Sequence, residues 1–362
     1  MATREATWNY RNRFGDRFGR TYFRRFGPGV ISSIGLGTYL GEPTDAVDAA
    51  YRAAIVEALE HGVDVVDTAI NYRCQRSERV VGRALTDADV DRDAVLVATK
   101  GGFVPFDDAR PADPSAYVRR EFVEPGLVDP ADLAHGSHSI APGFVDELFE
   151  RSRSNLGVDS IDLYYVHNPE TQRDVRSEAA VYDQLEATFE RLEARVAAGD
   201  LGAYGVATWE AFRVPRDHEH YLSLPEVLAR AEAAAASVGA EEHSLAAIQL
   251  PFNVHMADAF TVESQPGPDG PRSALAVADT AGIGVFTSAS IGQGRLAGGL
   301  PDDIAAELSG DTPAQRAINF ARSAPGVTCA LVGASDPAHV AENVAAGTFD
   351  PLGARAFDAV FE

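Results

Sequence analysis

The 362 residues carry 54 acidic against 31 basic side chains, a formal net charge of −23 at pH 7, and 45% of the chain is apolar. This composition supports a large core and excludes partners that reward clustered positive charge, so neither nucleic acid nor an anionic membrane surface is an expected ligand. Two cysteines, Cys74 and Cys329, are too few for a disulfide framework, and no stretch is apolar enough to span a bilayer, which makes the cytoplasm the expected location.

Residues 1–29 read as an aromatic-basic arm in which Arg4, Arg11, Arg13, Arg17, Arg20, Arg24 and Arg25 stand among Phe14, Phe18, Tyr22 and Phe23. The arm lacks the apolar stretch of a secretory signal, and Glu5 and Asp16 interrupt it, so it is expected to fold on the anionic body or on a second subunit. Residues 30–362 then read as one domain. Eight short apolar runs, 31–38, 63–67, 94–100, 161–167, 201–208, 245–250, 284–288 and 327–332, alternate with amphipathic helical stretches. The spacing predicts a helix over 46–61, with Val47, Tyr51, Ile55 and Leu59 on one face, Thr44 as cap and Gly62 as stop. Another is expected around Val181, Leu185, Phe189, Leu192 and Val196. Eight strand–helix units in one chain predict an α/β fold, a (β/α)8 TIM barrel, although counting alone leaves an open doubly wound sheet as an alternative.

The gap between the third and fourth runs is unusually long. Residues 103–141, rich in Pro, Asp and Gly and without a sustained period, read either as an insertion over the barrel mouth that shapes the substrate site or as a disordered surface loop. Within it, Arg119, Arg120 and Glu121 form either a polar substrate contact or a solvated charge run. Loops 212–224 and 261–273 are expected to rim the same face.

Acid excess together with a single lysine, Lys100, against thirty arginines points to a halophilic origin, because short Debye lengths at high salt screen self-repulsion. That lysine ends an apolar run and precedes Gly101 and Gly102, which places a compact ammonium at a buried strand end where a guanidinium is no substitute. In a barrel, the strand ends converge on one face. Asp67 ends the second run, Tyr72 follows five residues later, Lys100 ends the third and His167 the fourth. A phenol titrates near 10, and an adjacent ammonium lowers that value, so Tyr72 is expected to act as a general acid. Asp67 would supply the countercharge to Lys100, and His167 would donate to a carbonyl oxygen. Singly, Asp67 reads as a cap, Tyr72 as a packed rim aromatic, and His167 as a satisfied histidine beside Asn168 and Pro169. Jointly the four fit one mechanism. Cys74 reads as an ordinary packed cysteine.

The constellation resembles the aldo-keto reductase tetrad. The local text agrees: Asp67-Thr68-Ala69-Ile70-Asn71-Tyr72, then Arg76-Ser77-Glu78 and Val81-Gly82-Arg83-Ala84-Leu85, in the family's order and spacing. The resemblance implies an oxidoreductase that transfers a hydride between a nicotinamide dinucleotide and a small-molecule aldehyde or ketone, or the matching alcohol, without metal or flavin. It places the dinucleotide across the barrel mouth, with Thr38 at its edge and the carboxamide near Ala207, Thr208 and Gln249, of which Ala207 has no hydrogen-bonding side chain. The loop containing Gly292, Gly294 and Arg295 matches the segment that covers the pyrophosphate. Ser288 stands where the family has an aromatic on the nicotinamide, with Phe286 or another aromatic as the candidate substitute. Gly333, Ala334, Ser335, His339, Glu342 and Asn343 match the distal contacts, with Asp336 capping and Pro337 opening a helix whose N-terminus favours phosphate. NADP(H) is the family's expectation. However, Gly333, Ser335 and His339 stand where the family places cations on a 2′-phosphate, and Asp336 would repel one, which leaves NAD(H) open.

Two other readings compete. One is a cofactor-binding regulatory subunit resembling the potassium-channel β subunits, against which the intact tetrad counts. The other is a divalent-metal barrel hydrolase using His167 and Asp67, disfavoured by the expectation that the chain carries no His-x-His or clustered carboxylate ligand set.

Overall fold

The protein is described by a computed structural model covering residues 1–19 and 21–361; Arg20 of the arm and Glu362 lie outside the described residues. A hairpin of β1 (Phe23–Phe26) and β2 (Gly29–Ser32) precedes eight parallel strands. These are β3 (Ile34–Gly37), β4 (Val65–Asp67), β5 (Leu96–Gly101), β6 (Ile161–His167), β7 (Leu201–Ala207), β8 (Leu245–Pro251), β9 (Gly284–Ser288) and β10 (Val327–Gly333). Each pairs with its sequence neighbour, and β10 pairs with β3 to close the barrel. The open-sheet alternative is thereby excluded.

The run 31–38 is not one strand. Ile31 and Ser32 belong to β2, and at Ser33, whose N–H donates to the Tyr22 carbonyl at 2.7 Å, the chain turns from the hairpin into β3. The hairpin closes the lower end of the barrel. Phe26 meets Phe286 from inside the barrel at 5.1 Å between ring centroids, and Ile31 joins Val65, Leu96, Leu163 and Leu331 in the inner core. The segment before the hairpin is a helix, Arg4–Phe14, fastened by the Tyr10 hydroxyl donating to the Leu59 carbonyl at 2.6 Å.

Around the barrel the helices bury their apolar stripes against the outer strand faces. In Asp45–Glu60, the Thr44 hydroxyl accepts from the Val47 N–H, and Ile55 and Leu59 are fully buried. The helix around Val181 and Leu192 spans Glu178–Ala198 and ends at Gly199 in the left-handed region.

Residues 103–141 have local structure of their own. They form a short helix (Pro114–Val118), a wide turn (Arg119–Val123) and a 3-10 turn (Pro130–Asp132). Val104, Val118, Phe122 and Val128 make a separate apolar cluster against Phe144 and Leu148 of the helix Pro142–Leu156. The loops 212–224 and 261–273, which follow β7 and β8, are clasped to each other. Gln265 donates to the Phe212 and Leu222 carbonyls and accepts from the Leu224 N–H at 2.7 Å.

Candidate active site

A cavity of about 530 Å³ opens at the C-terminal ends of the strands, a size suited to a small ligand. Asp67, Tyr72 and His167 line it, and Lys100 lies directly beneath. The Lys100 ammonium is fully buried; it donates to Asp67 Oδ1 at 2.5 Å and to the Thr68 carbonyl at 2.8 Å. The other Asp67 oxygen accepts from Gln249 Nε2 at 2.8 Å. This pairing offsets the cost of burying two charges, because both carboxylate oxygens and two of the three ammonium protons are satisfied. Burial still pulls Lys100 below its usual range, and the Asp67 charge opposes that pull.

The ammonium stands 5.0 Å from the centre of the Tyr72 ring, under its face. The expected lowering of the Tyr72 phenol is not what this geometry produces. Burial pushes it well above 10, with Asp67 and then Tyr39 adding to the rise. The Lys100 ammonium, already paired with Asp67, does not offset this rise. In this resting arrangement Tyr72 is therefore fully protonated.

His167 sits 6.1 Å from Tyr72, ring centre to ring centre. Burial first, then the Lys100 charge and His138, drive it well below its ordinary value, so its imidazole is neutral, and Nδ1 has no partner. Its backbone is pinned: the His167 carbonyl contacts His138 Nε2 at 2.8 Å, while Gln172 Nε2 meets His138 Nδ1 at 2.8 Å. Gly102 lets β5 pass this point, since at its φ of 155° a Cβ would lie 2.6 Å from the His167 carbonyl.

The nicotinamide-side positions Thr38, Thr208 and Gln249 line the cavity, as do Gly294 and Gly333. Gln249 has one amide proton committed to Asp67, leaving its oxygen and second proton for a ligand. The other predicted cofactor residues lie outside the cavity. The Gly292 and Gly294 N–H groups are spent on the Ala289 and Ile291 carbonyls, at 2.7 and 3.1 Å. Arg295 is exposed and donates back to Gly292. Ser335 and His339 are exposed, Ala334 and Asn343 buried and Glu342 half-buried; Asp336 already accepts the Ala338 N–H at the helix start. The cavity thus fits a nicotinamide-sized group, and the distal contacts form an open shelf.

The aldo/keto reductase family profile matches residues 33–221. The chain belongs to that family. It is 27% identical over 180 residues to a 6-dehydroglucose reductase of Agrobacterium fabrum, covering 49% of this chain and 50% of that protein. It is 26% identical over 206 residues to an NADH-specific methylglyoxal reductase of Escherichia coli, covering 56% and 55%. A putative voltage-gated potassium channel subunit beta of Schizosaccharomyces pombe matches at 21% over 333 residues, 88% and 85% of the two chains. Among solved structures, an aldo-keto reductase from Bacillus halodurans in its holo form superposes with a TM-score of 0.64 at 20% identity, covering 94% and 96%. One from Klebsiella pneumoniae in complex with NADP and acetate has a TM-score of 0.62 at 20% identity, covering 94% of each chain. These likenesses show the fold. The chain spans about half the length of the first of these curated relatives.

Phe286 does not substitute for an aromatic at Ser288. It is fully buried one layer lower, between Phe26 and Tyr165. Besides Tyr72 and His167, the aromatics that reach the cavity are Tyr39, Phe103 and Trp209. They were not marked by any periodicity, because each follows a strand end in a loop. Phe103 is the only residue of 103–141 among the cavity-lining residues; Arg119, Arg120 and Glu121 are elsewhere, with Arg120 paired to Glu121. Cys74 is half-buried, and burial raises its thiol. The expectation that the chain has no His-x-His is wrong: His218-Glu219-His220 is one, in the loop after β7. Among the described residues no helix is long and apolar enough to cross a membrane.

Proposed function

We propose that this chain reduces small aldehydes or ketones, or oxidises the matching alcohols, with a nicotinamide dinucleotide as co-substrate. The observation that carries the reading is the sole lysine, fully buried on Asp67 beneath Tyr72, with the unpartnered imidazole of His167 facing the same cavity. The reductase relatives support it.

When bound, the dihydronicotinamide supplies a hydride to the carbonyl carbon. Everything else falls to the protein. Tyr72 and His167 both line the cavity in which a carbonyl oxygen would sit; the neutral imidazole would offer one N–H to orient it, and the protonated phenol would offer its hydrogen. As negative charge develops on the oxygen, the Tyr72 proton moves across, leaving a phenolate. The third ammonium proton of Lys100 is then free to meet that charge. This interaction is absent before reaction and gained during it, which is the kind that accelerates a chemical step. Tyr39, Phe103 and Trp209 line the cavity and would shield the reacting centre once a ligand is seated.

NADH is used at least as well as NADPH. The shelf offers no fixed cation at Gly333, Ser335 or His339, and Asp336 places negative charge at the helix start. The test is steady-state turnover by the purified chain at high salt, with NADH and NADPH in parallel and methylglyoxal among the carbonyls. Sustained oxidation of either dinucleotide supports the reading, and faster NADPH turnover would refute the NADH preference. Tight dinucleotide binding with no sustained turnover would favour the regulatory-subunit reading, to which the match with the channel β subunit lends weight.

A further inference from the structure

We propose that Glu210, His218 and His220 form a divalent transition-metal site, of zinc type, in the loop after β7 and beside the cavity. A carboxylate oxygen of Glu210 and one nitrogen from each imidazole lie within 4.8 Å of one another. Two metal–ligand bonds of about 2.1 Å at a tetrahedral angle set donor atoms about 3.4 Å apart, so small side-chain rotations complete the set. Two imidazoles and one carboxylate are donors that zinc accepts, with water in the fourth position.

The surroundings are those of a held ligand set. His220 Nδ1 faces Glu210 Oε2 at 2.7 Å, and its Nε2 is bonded to Asp174 Oδ1 at 2.9 Å. A metal on Nδ1 would keep that second bond, which fixes the ring by the carboxylate–histidine arrangement common around metal ions. Asp174 is itself held by His135 Nε2 at 2.7 Å. His218 is oriented by its Nδ1, which accepts from the His220 backbone N–H at 3.2 Å. The groups are half-buried, and the chain as a whole carries a net charge of −23, which favours binding of cations in general.

The site sits one residue from the cavity wall. The N–H groups of Trp209 and Glu210 both donate to the buried Glu170 Oε1, and Trp209 lines the cavity. A bound ion would tie the loop carrying Trp209 to itself.

The full chain, stripped with chelator and dialysed, is titrated with Zn²⁺ by calorimetry. One equivalent is expected to bind, with a rise in Tm. His218→Ala and His220→Ala each abolish stoichiometric binding, Asp174→Asn weakens it about 10- to 100-fold, and His255→Ala leaves it unchanged. Co²⁺ added to the wild-type chain gives the intense visible bands of a four-coordinate nitrogen–oxygen site, a readout that needs no variant. Absence of stoichiometric binding, undiminished binding in either histidine variant, or only the weak bands of six-coordinate Co²⁺ would overturn the site. Full affinity in Asp174→Asn would overturn the orienting role of Asp174.

Discussion

Asp64 and Asp67 flank Val65 and Val66 at opposite ends of β4, and both are buried. At the lower end, beside the hairpin, Asp64 accepts the Ser32 N–H at 2.7 Å; its second oxygen has no partner, and burial pushes the carboxyl up to about 7. At the upper end both oxygens of Asp67 are engaged, one by an ammonium and one by an amide. The lower carboxyl needs no charge to do its work, which is to accept one backbone bond. The upper one holds the cation to which the proposed mechanism gives a task beyond stability. One strand thus shows the division of labour of this fold, in which the lower ends seal and the upper ends react.

The sharpest way to break the comparison is at the upper end. Tyr72→Phe is expected to lower kcat for carbonyl reduction by about 10² to 10⁴-fold, with dinucleotide binding retained; a near-normal rate would remove Tyr72 from the mechanism. Next comes the lower end. Because the folded carboxyl of Asp64 titrates at about 7, above its value in the unfolded chain, its contribution is fully present below about pH 4 and is lost as pH rises toward 7. At about 1.4 kcal/mol per pH unit this is at most about 4 kcal/mol. Asp64→Asn keeps the acceptor and should remove that loss, so that denaturant melts at pH 4 and 8 differ less in the variant than in the wild type. An unchanged difference would mean that Asp64 does not titrate in this window.

Lys100→Arg enlarges a fully buried ion. It is expected to cost about 1–3 kcal/mol of stability and to impair turnover by displacing Tyr72; unchanged kinetics would make the lone lysine incidental. The smallest effect is expected on the open shelf. Ser335→Arg should tighten NADPH about tenfold, roughly 1.4 kcal/mol, and leave NADH within a factor of two or three. A loss of NADH binding instead would place Ser335 elsewhere in the cofactor's path.

The barrel was legible because period and length coincide: the runs 161–167 and 284–288 are the strands β6 and β9 to the residue. The run 31–38 failed because Ile31, Ser32 and Ile34 are all buried, and the break at Ser33 changes direction without changing polarity. The four polar side chains at strand ends were legible because chemistry of that kind is rare in sequence and strand ends converge. Depth was not. Phe286 and Ser288 share a face at period two, yet one lies a layer below the cavity and the other lines it. The pull of burial on Tyr72 was also invisible, since it depends on how deeply the fold sets the ring among its neighbours. Tyr39, Trp209 and the histidines of the 218–220 loop carry no periodic signal, and only the folded rim brings them to the mouth.

Arg24 has a consequence for how the molecule is made. Its guanidinium donates to the carbonyls of Val327 and Arg322, about three hundred residues away, and β3 pairs with β10. An early-synthesised segment is thus latched by late-synthesised ones. The ring cannot shut until β10 has emerged, so a nascent chain holds seven strands with a raw edge on each side, and its assembly is expected to be slow and dependent on protection from aggregation.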